Sequence, residues 1–239
     1  MVERVDSSWK KSLSKALGSL EPEYLEFLKS SDSFFPKREN LFNAFSTLPK
    51  ERVKYILFGQ DPYPRLESAT GYAFIDGKVK EIFSQKGLSK DVNRATSLRN
   101  FIKMALVAEG LLDCSDLSQD AISKIEKSNL IESIDQLREN FEQNGVLLLN
   151  TALIFTSKSD SKEHIKSWRG FIASILEEMR EINPTLILFG NSAKGIKKHF
   201  NISSFEKIEL EHPYNHSFIC NPVAVETFGK MELLKRRKA

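Results

Sequence analysis

The chain has 239 residues, a length that fits one large α/β domain or two small ones. With 41% hydrophobic residues, 17 phenylalanines and 28% charged residues, it can bury a sizeable core beneath a solvated surface and should fold alone. The formal net charge of +3 tilts the surface towards polyanions but excludes a histone-like excess of basic residues, so any binding of DNA must come from a local basic face.

The N-terminus and the cysteines indicate the compartment. Residues 1–15 mix charges and serines without an apolar run, and no stretch reaches the roughly 20 apolar residues that span a bilayer, so neither secretion nor membrane insertion is expected. Cys114 and Cys220 lie far apart, without CxxC spacing and without a histidine at metal-ligand spacing. The sequence therefore suggests neither a disulfide scaffold nor a zinc site, and it indicates a reduced, cytoplasmic setting.

Helical and strand patterns alternate along most of the chain. Residues 1–50 form a predicted helical preface, in which Pro22 marks a helix start and Pro36 a helix end. Short apolar runs bounded by breakers predict buried strands at 53–58, 146–149, 185–189 and 207–210. Helical patterns lie between them at 97–108, 130–141, 168–181 and 192–200.

This alternation predicts the fold class. Strands that alternate with helices form a mostly parallel sheet with covered faces, so we expect an α/β protein in which helices flank a central four-stranded sheet. We expect residues 1–239 to form a single domain, with the polar segment 111–129 as a surface insertion. The Asp76-Gly77 turn signal within the alternating segment 73–80 also predicts a small β-hairpin after the first strand.

Chemically competent side chains follow the predicted strands. Ligands of a parallel sheet bind beyond the carboxyl ends of its strands, so the residues there form one candidate set. We expect Asp61, Asn150 and His212 to meet at one edge of the sheet. The segments that follow the four strands are Gly59-Gln60-Asp61-Pro62-Tyr63-Pro64, Asn150, Gly190-Asn191-Ser192 and Glu211-His212-Pro213-Tyr214.

The first of these segments carries a family resemblance. Gly59-Gln60-Asp61-Pro62-Tyr63 strongly resembles the water-activating motif of the uracil-DNA glycosylases. Segments similar to that family's base-stacking, phosphate-binding, base-reading and wedge motifs follow in the same order, and the similarity extends from about Val53 nearly to the C-terminus. Those segments are Gly71-Tyr72-Ala73-Phe74, Ser97-Leu98-Arg99-Asn100, Leu147-Leu148-Leu149-Asn150-Thr151 and His212-Pro213 followed by Ser217.

The resemblance implies two catalytic residues, Asp61 and His212. Hydrolysis at a deoxyribose passes through an oxocarbenium-like transition state, so a carboxylate beneath the sugar stabilises the positive charge and orients water. Asp61 is the candidate for this role. His212 resembles the histidine that donates a hydrogen bond to the carbonyl oxygen of the departing base, where negative charge develops.

Further positions would hold the base and the DNA. The amide of Asn150 can read the pairing edge of a flipped pyrimidine, and Phe74 would stack on that base. Tyr63 would form the wall beside the 5-position and exclude a methyl group there. Gln60 would contribute backbone contacts. The candidates for phosphate contacts are Ser97, Ser192 and Ser217.

Two departures from the family pattern affect substrate choice. Pro64 stands where typical members carry a histidine, and the wedge loop reads His212-Pro213-Tyr214-Asn215-His216-Ser217 instead of His-Pro-Ser-Pro-Leu-Ser. His216 occupies the position of the leucine that fills the space left by the flipped base. Because π-faces stack on bases, either His216 or Tyr214 could fill that space.

The sequence therefore predicts a monofunctional DNA glycosylase that acts as a monomer on DNA and needs no metal, organic cofactor or protein partner. Uracil is the favoured substrate because the expected catalytic and base-binding residues are present together. One alternative substrate is a bulky 5-modified cytosine of phage DNA, such as glucosylated hydroxymethylcytosine, provided that Tyr63 has swung aside. A glycosylase with that substrate would serve antiviral defence. The other alternative is a catalytically silent protein that binds DNA or a partner.

Overall fold

The computed structural model describes residues 2–237, with the side chains of residues 191–194 left out. In chain order, the strands β1 to β6 are Tyr55–Gly59, Phe83–Ser84, Gly87–Leu88, Val146–Asn150, Thr185–Phe189 and Lys207–Leu210. In the same order, the helices α1 to α10 are Lys10–Leu17, Pro22–Ser30, Lys90–Arg94, Thr96–Ala108, Gln119–Ser123, Ile134–Gln143, Ser161–Ser167, Arg169–Glu178, Gly190–His199 and Pro222–Gly229.

The main sheet has the strand order β4-β1-β5-β6. β1 pairs in parallel with both β4 and β5, and the first of these pairs runs from Tyr55 opposite Val146 to Gly59 opposite Asn150. β1, β4 and β5 are buried along most of their length, which explains why they are continuous apolar runs, whereas β6 at the edge is largely exposed. The predicted fold class, an α/β protein with a four-stranded sheet flanked by helices, is confirmed.

Strand bounds follow the predictions closely. β5 and β6 occupy the predicted residues, and β4 extends one residue beyond its prediction, to Asn150. Helix α6 begins at Ile134, later than predicted, because Ser133 and Gln136 form a capping box. In this box the side chain of each residue accepts a hydrogen bond from the backbone N–H of the other. A cap fixes a helix start more strongly than apolar periodicity does.

The predicted hairpin over residues 73–80 is wrong. Asp76 of this segment forms an isolated bridge with Ala69, the Ala73 amide donates to the Leu148 carbonyl oxygen of β4, and the small hairpin of this region is β2 with β3. Phe74, inside the segment, has a φ of +69°, which lies outside the range of an extended strand. Asp76 and Gly77 therefore do not connect the two strands of a hairpin.

Two compact units make up the chain, and the prediction that residues 1–239 form one domain stays a prediction. The first unit is Met1–Asp76 with Gly145–Glu209. It contains the main apolar core, against which α1 and α8 pack, and Trp9 anchors the N-terminal segment by donating to the Leu48 carbonyl oxygen over 2.8 Å. The predicted helical preface contains α1 and α2, followed by short 3₁₀ turns up to Arg52.

The second unit is Gly77–Asn144 with Leu210–Ala239. Its core centres on Phe101 of α4, whose ring lies 5.7 Å from that of Phe141, 6.2 Å from that of Phe218 and 4.9 Å from that of Phe228. Helix α4 therefore packs against α6, α10 and the 3₁₀ turn His216–Cys220. This packing gives the C-terminal segment its own apolar anchor.

The two cysteines form a disulfide, so the expectation that they are unpaired is wrong. Cys114 and Cys220 are separated by 106 residues, and the fold of the second unit brings their Cα atoms to 6.1 Å. Sequence spacing carries no signal for this pair because the contact is made by tertiary packing. The bond ties the segment 111–129, which contains α5, to the end of the turn His216–Cys220.

Among the residues that the structure describes, no helix combines the length and the apolar character needed to cross a bilayer.

Candidate active site

The ends of β1 and β4 lie side by side in the first unit. Gly59 is opposite Asn150, and the two chains continue to hydrogen bond beyond the strands. The Thr151 amide donates to the Gly59 carbonyl oxygen over 3.0 Å, and the Gln60 carbonyl oxygen accepts from the Ala152 amide at 2.9 Å and from the Thr151 hydroxyl at 2.8 Å. The backbone that leads into Asp61 is therefore held on its β4 side, while the Gln60 side chain is exposed.

Gly59 lets the Asn150 amide lie across the backbone. A Cβ atom at position 59 would lie 2.1 Å from the Asn150 Oδ1 atom and 2.9 Å from the Ala73 Cβ atom. No side chain fits there. Asn150 itself is only 4% exposed, so its amide is held in a buried position beside the segment that begins with Asp61.

Asp61 is half-buried, and its carboxylate is oriented by a neighbour that the sequence analysis did not identify. The hydroxyl of Ser161 donates a hydrogen bond to the Asp61 Oδ2 atom. Ser161 is the first residue of α7 and is buried. It belongs to a polar segment typical of surface loops, so only the tertiary contact reveals it.

A second buried polar residue, His164, anchors the same helix. Its Nδ1 atom lies 2.8 Å from the Tyr24 hydroxyl and its Nε2 atom 2.8 Å from the Thr156 hydroxyl. Burial lowers the pKa of His164, and the nearby carboxylates of Asp160 and Asp61 oppose that shift. With both ring nitrogens hydrogen bonded, the imidazole fixes α7 and thereby the Ser161 hydroxyl.

Tyr63 contacts the backbone of Phe74 in the first unit. Phe74 has a φ of +69°, a left-handed conformation that costs roughly 1 kcal/mol or more for a residue other than glycine and that persists only where its surroundings impose it. The Tyr63 hydroxyl lies 3.4 Å from the Phe74 carbonyl oxygen. Burial, reinforced by the charge of Asp76, raises the pKa of Tyr63, so its phenol stays a neutral donor.

In the second unit, the loop 211–217 carries His212. The backbone N–H of Tyr214 donates to the His212 Nδ1 atom over 3.0 Å. Desolvation lowers the pKa of His212, which favours the neutral imidazole. A neutral ring that accepts at Nδ1 carries its proton on Nε2, so His212 presents an Nε2–H donor.

Asn100 holds the same loop from α4. Its side chain is buried, and the Nδ2 atom donates to the carbonyl oxygens of Pro213 at 2.8 Å, Tyr214 at 3.2 Å and Asn215 at 3.3 Å. Sequence reasoning placed Asn100 in a phosphate-binding segment and gave it no role of its own. The structure shows that it positions the backbone of the predicted wedge.

The remaining predicted contacts have different settings. Ser97 lies in the first turn of α4, where backbone N–H groups lack intrahelical acceptors. The hydroxyl of Ser217 donates to the Glu211 carboxylate. Tyr214 is 67% exposed, and Asn215 and His216 are exposed as well. The side chain of Ser192 lies outside the described residues.

Comparison with known proteins identifies the family. The model of the uracil DNA glycosylase superfamily matches residues 45–219, which include every site residue predicted from the sequence. The chain belongs to this superfamily.

Relatives and solved structures agree with that assignment. A protein named uracil-DNA glycosylase from Borrelia duttonii (strain Ly) is 27% identical over 225 residues, covering 90% of this chain and 86% of the relative. Another so named, from Helicobacter pylori (strain Shi470), is 32% identical over 180 residues, covering 71% and 63%. The crystal structure of the wild-type UNG from Nitratifractor salsuginis superposes with a TM-score of 0.96 at 56% identity, covering 98% of this chain and 94% of that one.

Proposed function

We propose that this chain excises uracil from DNA by hydrolysing the N-glycosidic bond and leaves an abasic site. The parallel pairing of β1 with β4 carries the proposal, because it sets the Asn150 amide beside the segment that contains the Asp61 carboxylate. The matched superfamily and the relatives named uracil-DNA glycosylase support the same reaction. The enzyme is a monofunctional glycosylase.

Asp61 acts on the sugar. Cleavage of the glycosidic bond develops positive charge on the deoxyribose, and a carboxylate below the ring stabilises that charge and orients the attacking water. The Ser161 hydrogen bond restrains one carboxylate oxygen, so the group needs little reorganisation when the substrate binds. This restraint supports the catalytic assignment.

His212 acts on the leaving base. As the bond breaks, negative charge develops on a carbonyl oxygen of the pyrimidine, and the Nε2–H of a neutral imidazole donates to that oxygen. The backbone N–H of Tyr214 on Nδ1 fixes the required tautomer. A neutral donor stabilises the departing anion without first transferring a proton to it.

Asn150, Phe74 and Tyr63 select the base. The amide of Asn150 reads the pairing edge, and the ring of Phe74 stacks on the flipped pyrimidine. Tyr63 stands beside the 5-position as a wall, and its hydroxyl is within reach of the Phe74 carbonyl oxygen. Because this contact and the burial of the phenol keep Tyr63 in place, the geometry favours uracil over a cytosine with a bulky 5-substituent.

Tyr214 fills the space that the flipped base leaves in the DNA stack. Its side chain is 67% exposed, while its backbone is held at the N–H by His212 and at the carbonyl oxygen by Asn100. A fixed backbone with an exposed aromatic ring suits insertion between bases. His216, the other candidate, begins the 3₁₀ turn His216–Cys220.

DNA contacts complete the proposal. The backbone around Gln60 and the Ser97 hydroxyl at the start of α4 bind the phosphates and sugars on either side of the flipped nucleotide, with Asn215 and Ser192 as further contacts. The protein works as a monomer, since a single flipped nucleotide needs one active site. We place this reaction in the cytoplasm, where the DNA of its bacterial relatives lies.

Strand scission by alkali tests the proposal. Labelled duplexes would carry one uracil, one thymine or one glucosylated hydroxymethylcytosine, and the protein would be compared with its Asp61→Ala and His212→Ala variants. We expect cleavage at uracil alone and its loss in both variants. Cleavage at the modified cytosine alone would replace uracil as the substrate, and absence of cleavage at every base would favour a silent DNA-binding protein.

A further inference from the structure

Glu211 is the residue immediately before His212 and the first residue of the loop 211–217. Its Oε2 atom accepts hydrogen bonds from the Ser217 hydroxyl and from the Asn215 amide at 3.2 Å, and its Oε1 atom accepts from the Asn221 amide at 3.4 Å. One carboxylate thus connects the beginning of the loop to its far end. The uracil-excision proposal gives Glu211 no role.

The third of these partners also fixes the start of a helix. Asn221 caps α10, because its Oδ1 atom accepts from the backbone N–H groups of Val223 at 3.0 Å and Ala224 at 3.2 Å. Helix α10 packs against α4 in the core of the second unit. Glu211 therefore ties the loop to a rigid element rather than to another loop.

The charge of Glu211 is part of this arrangement. The Ser217 hydroxyl, followed by the amides of Asn221 and Asn215, holds the pKa of Glu211 below its usual range, and burial opposes this shift only in part. The carboxylate is ionised at neutral pH, when it accepts hydrogen bonds on both oxygens. The three donors around it match that form.

The contact also changes the role open to Ser217. A serine hydroxyl has one hydrogen, and here Ser217 donates it to Glu211, so the hydroxyl is left with acceptor capacity only. Phosphate oxygens need donors. A carboxylate this close to a loop that inserts into DNA also repels the phosphate backbone, which weakens binding. A group that weakens DNA binding needs a compensating role.

We propose that Glu211 is a positioning residue for uracil excision. The hydrogen bonds that its carboxylate accepts hold the loop 211–217, so that His212 and Tyr214 are oriented before DNA binds. This inference rests on the proposed function. Asn100 fixes the middle of the loop through backbone carbonyls, and Glu211 fixes its two ends through side chains. Preorganisation of this kind raises the rate of the chemical step rather than the affinity for DNA.

The kinetic test separates these two effects. Steady-state and single-turnover excision from a uracil duplex would be measured for the wild type, Glu211→Ala, Glu211→Gln and Glu226→Ala. Glu226 is an exposed carboxylate of α10 in the same unit, and it pairs with Lys230 instead of with the hydrogen-bond partners of Glu211. It therefore controls for loss of charge. For Glu211→Ala we expect kcat to fall by about 10- to 100-fold while KM is unchanged or lower. Glu211→Gln keeps an acceptor and should fall less, and Glu226→Ala should retain the wild-type kcat.

A readout independent of activity keeps the proposal falsifiable. Amide hydrogen exchange of the free protein should show that residues 212–217 lose protection in Glu211→Ala and keep it in Glu226→Ala, with the thermal transition of each variant checked. Unchanged protection of residues 212–217, or a change in KM alone, would overturn the positioning role of Glu211. Failure of the wild type to excise uracil would instead overturn the proposed function, and the exchange experiment would still decide the inference about the loop.

Discussion

The hydroxyl of Ser161 donates a hydrogen bond to the carboxylate of Asp61, a residue 100 positions earlier in the chain. Ser161 opens α7, whose position is fixed by the doubly hydrogen-bonded His164 one turn further on. The proposed catalytic carboxylate is therefore oriented by a helix that contributes no proposed catalytic residue. Such a support is expected where a side chain must be held in place before its substrate arrives.

Replacing Ser161 by Ala tests this support. Without the donor, the Asp61 carboxylate samples more orientations, so we expect kcat for uracil excision to fall about tenfold or more with little change in KM. Ser161→Thr keeps a hydroxyl and should recover part of the rate. Ser159→Ala, an exposed serine of the same segment, serves as the control. Equal rates for Ser161→Ala and Ser159→Ala would remove the positioning role.

Shortening Tyr63 should widen the choice of base. In Tyr63→Ala the wall beside the 5-position is gone, so we expect the variant to excise thymine at a measurable rate and uracil more slowly than the wild type. Tyr63→Phe keeps the ring and loses only the hydroxyl that approaches Phe74, so it should still reject thymine. Strand scission on duplexes with a single thymine or uracil measures both. Thymine excision by Tyr63→Phe would show that the hydroxyl, not the ring, sets the selectivity.

The state of His212 predicts a pH dependence. Desolvation holds its pKa below the ordinary value of 6.5, so any stability that this group contributes is present above the pKa of the unfolded chain and is lost as the pH falls through the lower folded-state value. Protonation of Nδ1 also breaks its hydrogen bond with the Tyr214 N–H. We expect the excision rate to fall in the same acidic window.

Imidazole ¹⁵N chemical shifts provide the measurement. The chain has four histidines, so the resonances of His212 can be assigned by substitution. They should show a neutral ring protonated at Nε2 at pH 7, and the acidic transition should vanish in His212→Asn and persist in His199→Asn. A ring protonated at Nδ1 at neutral pH would contradict the assigned tautomer.

A methyl group at position 59 should displace the base-reading amide. The Cβ atom of Gly59→Ala would lie 2.1 Å from the Asn150 Oδ1 atom, so either the amide or the strand must move. We expect excision to drop by about 100-fold and the free energy of unfolding to fall by about 1–3 kcal/mol. Gly195→Ala, where a Cβ atom would meet nothing within 4 Å, should leave the rate and the stability nearly unchanged or slightly raise the stability. Calorimetry and excision kinetics compare the two, and a Gly59→Ala variant with the wild-type rate would contradict the close approach.

The Cys114–Cys220 bond should contribute to the stability of the second unit. A cross-link that closes a loop of this length restricts the unfolded chain, so we expect the double variant Cys114→Ser/Cys220→Ser to lose about 2–4 kcal/mol of unfolding free energy. Adding a thiol reductant to the wild type should cause the same loss and should leave the double variant unaffected. Titration of two free thiols in the denatured, unreduced wild type would show that the bond does not form.

Features that depend on neighbouring residues could be predicted from the amino-acid sequence alone. Apolar runs set β4, β5 and β6 to within one residue because burial on both faces of a sheet selects continuous hydrophobic segments. Order and spacing of the motifs identified the family, and the predicted strands placed Asn150 at the end of β4 and Asp61 just beyond the end of β1. These signals are local or follow from sheet topology, so they can be read without coordinates.

Contacts between residues far apart in the chain could not be predicted in this way. Ser161 reaches Asp61 across 100 positions, Cys114 meets Cys220 across 106, and Asn100 of α4 holds the Pro213 carbonyl oxygen across 113. No pattern within a short stretch of sequence encodes such pairs, because each pair depends on how helices and loops from distant parts of the chain pack together. The chemistry proposed for this protein can thus be assigned from its motifs, whereas the side chains that hold those motifs in working orientation become visible only once the chain is folded.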